Sequence, residues 1–349
     1  MLKKIFDMLE STKLGLRFVT KRMTSVASAY HKVTGIVVHF GFYGLLNAWR
    51  HNIGQARLEG LLQHQPINKI VILTVPHTLY VAKMIAYALL KINIQTVIIH
   101  KKPKEGFESC LHIVITSHAF RHMPQTYFVY QMEQSVATRW FRPKHRKKLY
   151  RAAAIMDYSQ ANIAFLHQHQ FEKNQVYFMP VSFLLGDNAH LDAPAYDYDV
   201  LFYGSTKNKR RQAYLHELSK HFNVKVINNL YGDDISQTLK RAKIVVNIHF
   251  YENALLETTR IFECISTGVF VISEESADIM DHQDLLSEIA FVPVGDIQAM
   301  INSVTYWLAH DADRILWLKN QHHRLQVSNN QFESHFYGFL TNQGIIKNS

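Results

Sequence analysis

Four basic residues fall within five positions at Lys207, Lys209, Arg210 and Arg211, directly after the run YDYDVLFYGS. The pattern predicts a buried strand ending at Tyr203-Gly204-Ser205, a short loop, and a helix with a cationic first turn. Gly204 would let the backbone approach a ligand, and free N–H groups at the helix start would meet a phosphate. Arginine suits that ligand because its planar fork bonds two oxygens at once. Cations at a helix N-terminus oppose the helix dipole by about 0.3 kcal/mol or more each. A cluster there implies an anion that offsets the cost; the plainer alternative is an exposed basic turn.

A second constellation lies in KIVVNIHFYENALLETTRIFECISTG. A strand running through His249 leads into a loop with Tyr251 and Glu252. A helix from about Leu256 then carries Glu257, Arg260 and Glu263, whose spacing of three puts them near one face. On a surface they would form an ion-pair ladder worth about 0.3 kcal/mol per pair. Ile261, Phe262, Cys264 and Ile265 share the helix, however, so much of it is buried and its polar residues crowd toward a cleft. Upstream, Glu133 in YQMEQ follows a strand and could act as general base on a hydroxyl, or position a sugar. His77 and His118 also follow strands, and imidazole titrates near working pH, although either could be an ordinary loop histidine. Asp157 and Ser159 in MDYSQAN read first as a helix cap.

The elements that must position these residues alternate. KIVILTV from Lys69, INIQTVIIH, LHIVITS and TYFVYQM are strands, with a helix over LYVAKMIAYALLK. HRKKLYRAAAIM and QANIAFLHQHQ read as helices before the strand VYFMPV. The polar stretch GDNAHLDAPAYDYD makes a linker. A second alternation follows through DVLFYGS, VKVIN, KIVVNIHF and VFVISEE, and from Asp281 the chain reads as mostly helical. The fold class is α/β, with two Rossmann-like domains facing across a cleft. The boundaries are a helical segment at 1–65, an N-terminal domain at 66–190 and a C-terminal domain at 191–349, its last helices crossing back.

The segments YQMEQ, MDYSQAN, DVLFYGSTKNKRR, KIVVNIHFYE and RIFEC, in that order, resemble GT-B glycosyltransferases. The similarity is to the group-1-like bacterial branch that modifies surface polysaccharide or protein, and it covers roughly 127–275 well. The resemblance implies sugar transfer from a nucleotide-diphosphate donor, without a metal or other cofactor, to a glycan, lipid-linked or protein acceptor. It implies that Glu263 bonds the donor's ribose hydroxyls, that Arg210 or Arg211 and Arg260 sit near the diphosphate, and that Gly204 and Ser205 form the loop beneath. Lys209, His249, Tyr251, Glu252 and Glu257 complete the expected donor side; Glu133, His77 and His118 are the catalytic candidates. Many retaining members carry a second glutamate eight positions before the first; here that position is Leu255, so the stereochemistry of transfer stays open.

Composition bounds the rest. With 349 residues, 48% hydrophobic and 19% charged, the chain can build two cores and is not dominated by disorder. Two cysteines argue against a disulfide framework and for a reducing, cytoplasmic setting. The N-terminus lacks a signal-peptide pattern, and the apolar run near 36–46 is too short to span a membrane. Basic residues on the first helix could lie on a membrane interface or simply face solvent. The net charge of +10 fits nucleic acid, acidic lipid or diphosphate alike, but no nucleic-acid motif is present. The 21 histidines lack carboxylate or cysteine partners at ligand spacing, which argues against a metal site. Two rival functions remain: a nucleotide-sugar epimerase on the same fold, and a non-catalytic basic module binding nucleotide or nucleic acid.

Overall fold

The computed structural model describes residues 47–64, 66–136, 141–184, 196–327 and 330–347. The basic N-terminal helix and most of the linker expected from the sequence lie outside the described residues.

The first sheet contains β1 (Lys69–Leu73), β2 (Gln95–Ile99), β3 (Leu111–Ile115), β4 (Thr126–Gln131), β5 (Ala154–Asp157) and β6 (Val176–Phe178). All neighbours pair in parallel, in the order β2-β1-β3-β4-β5-β6. Every residue of β3, β4 and β5 is buried, as parallel strands covered on both faces require. Helix α1 (47–64), α2 (Leu79–Lys91), α3 (Pro143–Arg151) and α4 (Gln160–Gln168) accompany this sheet. The helix expected through HRKKLYRAAAIM ends at Arg151, and Ala154–Asp157 forms β5 instead. Alanine propensity favoured a helix there. Pairing with β4 and β6 outweighs it, because the segment is buried in mid-sheet.

The second sheet contains β7 (Tyr198–Tyr203), β8 (Val224–Ile227), β9 (Ala242–Asn247), β10 (Phe270–Glu274) and β11 (Ala290–Val292), ordered β11-β10-β9-β7-β8 and again parallel. Its helices are α5 (Lys209–Ser219), α6 (Asp233–Leu239), α7 (Thr258–Ser266), α8 (Ile297–Ala309) and α9 (Asp311–Val327). The short strand β11 falls in the stretch expected to be mostly helical.

Helix α10 (Gln331–Asn342) returns to the first sheet. Phe339 packs edge-on against Phe128 and Tyr177, each 5.0 Å away, and the Tyr337 hydroxyl donates to the Ala88 carbonyl at 3.0 Å. The halves also meet directly. The Tyr80 hydroxyl lies 2.8 Å from Ser266 Oγ, and Lys83 pairs with Asp233 at 2.6 Å.

Strand order reverses once in each sheet, at β1/β3 and at β7/β9. Loops leaving such a switch point open a crevice beyond the carboxyl ends of the strands. His77 and Thr116 follow β1 and β3, while Gly204 and the segment 248–257 follow β7 and β9. No helix among the described residues is long and apolar enough to cross a membrane.

Candidate active site

A cavity of about 940 Å³ occupies this crevice. His77, Thr116, Glu133, Gln134 and Tyr158 line it from the N-terminal half; Gly204, Ser205, Lys207, Arg211, Tyr251, Glu257, Arg260 and Glu263 line it from the other.

Two arginines share one carboxylate on its wall. Arg211 Nη2 donates to Glu257 Oε1 at 2.9 Å, and Arg260 Nη1 donates to Glu257 Oε2 and, at 2.5 Å, to Asn247 Oδ1. Glu257 can reach both because it precedes α7 as its N-cap residue, outside the helix expected to contain it. Burial alone would raise the Glu257 carboxyl, but the adjoining Arg260 and Arg211 cations outweigh it and hold it below the ordinary value. Arg211 is only 3% exposed, and burial pushes it down to about 10. Its Nε donates to the Ile248 carbonyl at 2.8 Å and its Nη1 to Ser205 O at 3.1 Å. Arg260 stacks over Tyr203 and Phe202, and its buried Nε has no hydrogen-bond partner among the described residues. Two cations sharing one carboxylate put guanidinium charge on the cavity wall.

Gly204 makes room for that charge. Its φ of +135° suits glycine, and a Cβ there would stand 3.0 Å from Arg260 Nη2. Beyond it, Glu263 Oε2 accepts from the Tyr203 hydroxyl at 2.9 Å. Burial raises the Glu263 carboxyl, and the Tyr203 bond and Arg260 offset this only in part.

Other candidates are diverted. Arg210 forms a two-pronged pair with the fully buried Glu274 and does not line the cavity. Glu274 also accepts from the Tyr214 hydroxyl and from the main-chain N–H groups of His249 and Gly295. The free amides expected at the start of α5 are taken too: Asn208 Oδ1 accepts from Arg210 and Arg211 N–H at 2.8 and 3.3 Å. His249 is buried, with Nε2 2.9 Å from the Glu275 carbonyl. Lys209 and Glu252 are exposed outside the lining. The Arg210 diversion has a clear cause: β10 places the Glu274 carboxylate beneath that guanidinium.

On the facing side Glu133 and His77 reach the cavity, whereas His118 stands behind, its Nε2 3.4 Å from Glu133 Oε1. Burial, with the nearby His77 and Lys148 charges, lowers His118 to about 4, so it is neutral at ordinary pH. The Glu133 main chain is pinned: its carbonyl accepts from Gln131 Nε2 and Asn162 Nδ2 at 2.5 and 3.0 Å, and its N–H donates to Gln131 Oε1. Asn162 is set by Asp157 and by Ser159, which caps α4. Thr116 adopts left-handed backbone (φ 54°, ψ 55°), an uncommon state for a β-branched residue and a local strain beside the cavity.

Lys207, read from the basic cluster, does reach the lining, whereas Tyr158, Gln134 and Asn247 escaped the sequence reading. Tyr158 is 4% exposed on the cavity wall; directly after a cap-like Asp, it offered no periodic signal. Among the described residues, no group of three or more His, Cys, Asp and Glu is placed to hold a metal.

Residues 188–332 match a family model described as glycosyl transferase-like, a span holding every strand of the second sheet. Three solved structures share the fold over about four-fifths of this chain. Sucrose-phosphate synthase from Thermosynechococcus elongatus superposes with a TM-score of 0.52 at 13% identity, over 79% of this chain and 98% of that one. WaaG, a glycosyltransferase involved in lipopolysaccharide biosynthesis, gives 0.51 at 11% identity over 80% and 100%. HepE from Anabaena, solved with UDP and glucose, gives 0.51 at 10% identity over 79% and 99%. No curated protein matches the chain by sequence. The shared feature is the GT-B arrangement of two Rossmann-like domains around a cleft.

Proposed function

We propose that this GT-B glycosyltransferase moves a sugar from a nucleoside-diphosphate donor to an acceptor hydroxyl in the cavity between its two sheets. The donor lies against the C-terminal half. Glu263 accepts hydrogen bonds from ribose hydroxyls, since one carboxylate can accept from two vicinal groups. The diphosphate lies over Gly204 and Ser205 beside Arg260 and Arg211. As the anomeric C–O bond breaks, negative charge gathers on the leaving nucleotide, and the guanidinium charge stabilises it. The acceptor oxygen forms the new bond to the anomeric carbon, and its proton passes to the Glu133 carboxylate. His118, neutral and in contact with Glu133, orients that carboxylate.

Arg260 carries this reading. Glu257 and Asn247 occupy one of its nitrogens, Nε has no hydrogen-bond partner among the described residues, and the residue lines the cavity. This cationic wall supports the reading of a diphosphate site. HepE was solved with UDP and glucose, which supports a donor of this chemistry. The acceptor is a glycan, a lipid-linked glycan or a protein. A nucleotide-sugar substrate and two unpaired cysteines, Cys110 and Cys264, favour a cytoplasmic setting. Any contact with the inner membrane face falls to the basic segment before residue 47.

The test is thermal stability against a panel of UDP-, GDP- and ADP-sugars. A ligand at about a hundred times its Kd adds about 2.7 kcal/mol to the folded state. One donor class should raise Tm by several degrees in the wild type and fail to do so in Arg260→Ala. In turnover, that substitution should lower kcat/KM about 100-fold or more. No shift with any nucleotide or nucleotide-sugar would refute the proposal.

A further inference from the structure

The residue after Glu133 joins the two halves. Gln134 Nε2 donates to the Leu255 carbonyl at 2.9 Å, and the Leu255 N–H donates to Gln134 Oε1 at 3.1 Å. A primary amide thus meets one residue's main chain in both directions, which fixes separation and angle together. Each end of this bridge is anchored. On one side the Glu133 main chain is held by Gln131 and Asn162. On the other, Leu255 lies two residues before Glu257 in a loop secured by two further bonds. Leu256 N–H donates to Asp278 Oδ1 at 2.8 Å, and Ala277 N–H donates to the Ala254 carbonyl at 3.2 Å.

Resting on the glycosyl-transfer reading above, we propose that Gln134 is a positioning residue. Its amide sets the distance between the Glu133 carboxylate and a donor lying beside Arg260, the guanidinium that Glu257 holds in place. The group touches no reacting atom; it acts through Glu133, its chain neighbour, and through the 254–257 loop. Because reacting atoms must meet at about 3–3.5 Å, a displacement near 1 Å costs on the order of 100-fold in rate. The bridge therefore bears on the chemical step more than on donor binding. At Leu255 the side chain is buried, and its main chain is what the opposite domain reads.

The test compares Gln134→Met, Gln134→Glu and Lys83→Met in the full chain. The donor is the nucleotide-sugar that most stabilises the wild type, with water as acceptor and nucleotide release as the signal. Methionine keeps the size and loses both bonds; glutamate keeps an acceptor for the Leu255 N–H but has no donor for the Leu255 carbonyl when ionised. Lys83→Met removes a different link between the halves, the ion pair with Asp233, away from Glu133. Expected are a kcat about tenfold or more lower in Gln134→Met, an intermediate value in Gln134→Glu and a wild-type value in Lys83→Met. The KM for the donor and the Kd for its nucleotide should stay within about twofold throughout. A wild-type kcat in Gln134→Met overturns the role, as does a matching loss of nucleotide affinity or an equal loss in Lys83→Met. A wild type that binds no nucleotide fails at the parent reading instead, and is recognised by that.

Discussion

Arg210, Arg211 and Arg260 look interchangeable along the chain, but their partners separate them. Arg210 is consumed by Glu274, a buried carboxylate that burial would raise but that Arg210, Tyr214 and two main-chain N–H groups hold below its ordinary value. Removing one member of such a pair leaves the other buried and uncompensated, at about 3 kcal/mol or more. Arg210→Met should therefore lower Tm markedly while the folded enzyme keeps its nucleotide Kd, the reverse of Arg260→Ala. Denaturant titration and calorimetry on the two variants would check this. An Arg210→Met protein that is stable but blind to nucleotide would return Arg210 to the binding site. The sequence showed a basic cluster; it could not show that β10 would place a carboxylate under one member of it.

At the scale of elements, the β7–α5 turn is the critical joint. Gly204 combines left-handed backbone with a close approach to Arg260, so Gly204→Ala is strained twice. It should cost about 1–3 kcal/mol in stability and displace Arg260, weakening nucleotide binding more than an ordinary loop substitution of equal stability cost. Fluorescence or calorimetric binding at matched fractions folded would separate the two effects. The same turn was legible in the sequence, because strand, glycine and basic helix start are local signals. The Asn208 cap was not singled out, and it occupies the amides expected to meet phosphate. Local reading failed again at β5, where helix-forming residues are drawn into a strand by neighbours far along the chain.

For the whole molecule, α10 ties the end of the C-terminal half onto the N-terminal sheet. Phe339→Ala would empty a site between Phe128 and Tyr177 and should cost about 3–5 kcal/mol. Differential scanning calorimetry should show a lower Tm; a loss under 1 kcal/mol would mean α10 is a dispensable strap. Acid should also loosen the molecule. His118, His77 and His112 have folded-state values lowered by burial, His118 to about 4, against about 6.5 unfolded. Between pH about 6.5 and 4 the unfolded chain binds protons the folded histidines refuse, so their contribution to stability falls as pH falls. Glu263 and Asp157, both raised by burial, act in the opposite sense. The difference between wild type and His118→Asn isolates one group: the variant's Tm should fall less steeply from pH 6.5 to 4. Parallel curves would show that His118 is not held neutral by the fold.

By itself the sequence determined the alternation of buried strands and helices, the turn at Gly204 and the carboxylate–arginine spacing of 257, 260 and 263, because periodicity and glycine chemistry are local. The tertiary structure decided which charges cancel and which remain. Arg210 met Glu274, Glu257 was shared between two arginines, and Gln134 closed on a main-chain group 121 residues away. Net charge at a site is a sum over groups from separate strands, and no single stretch of chain contains that sum.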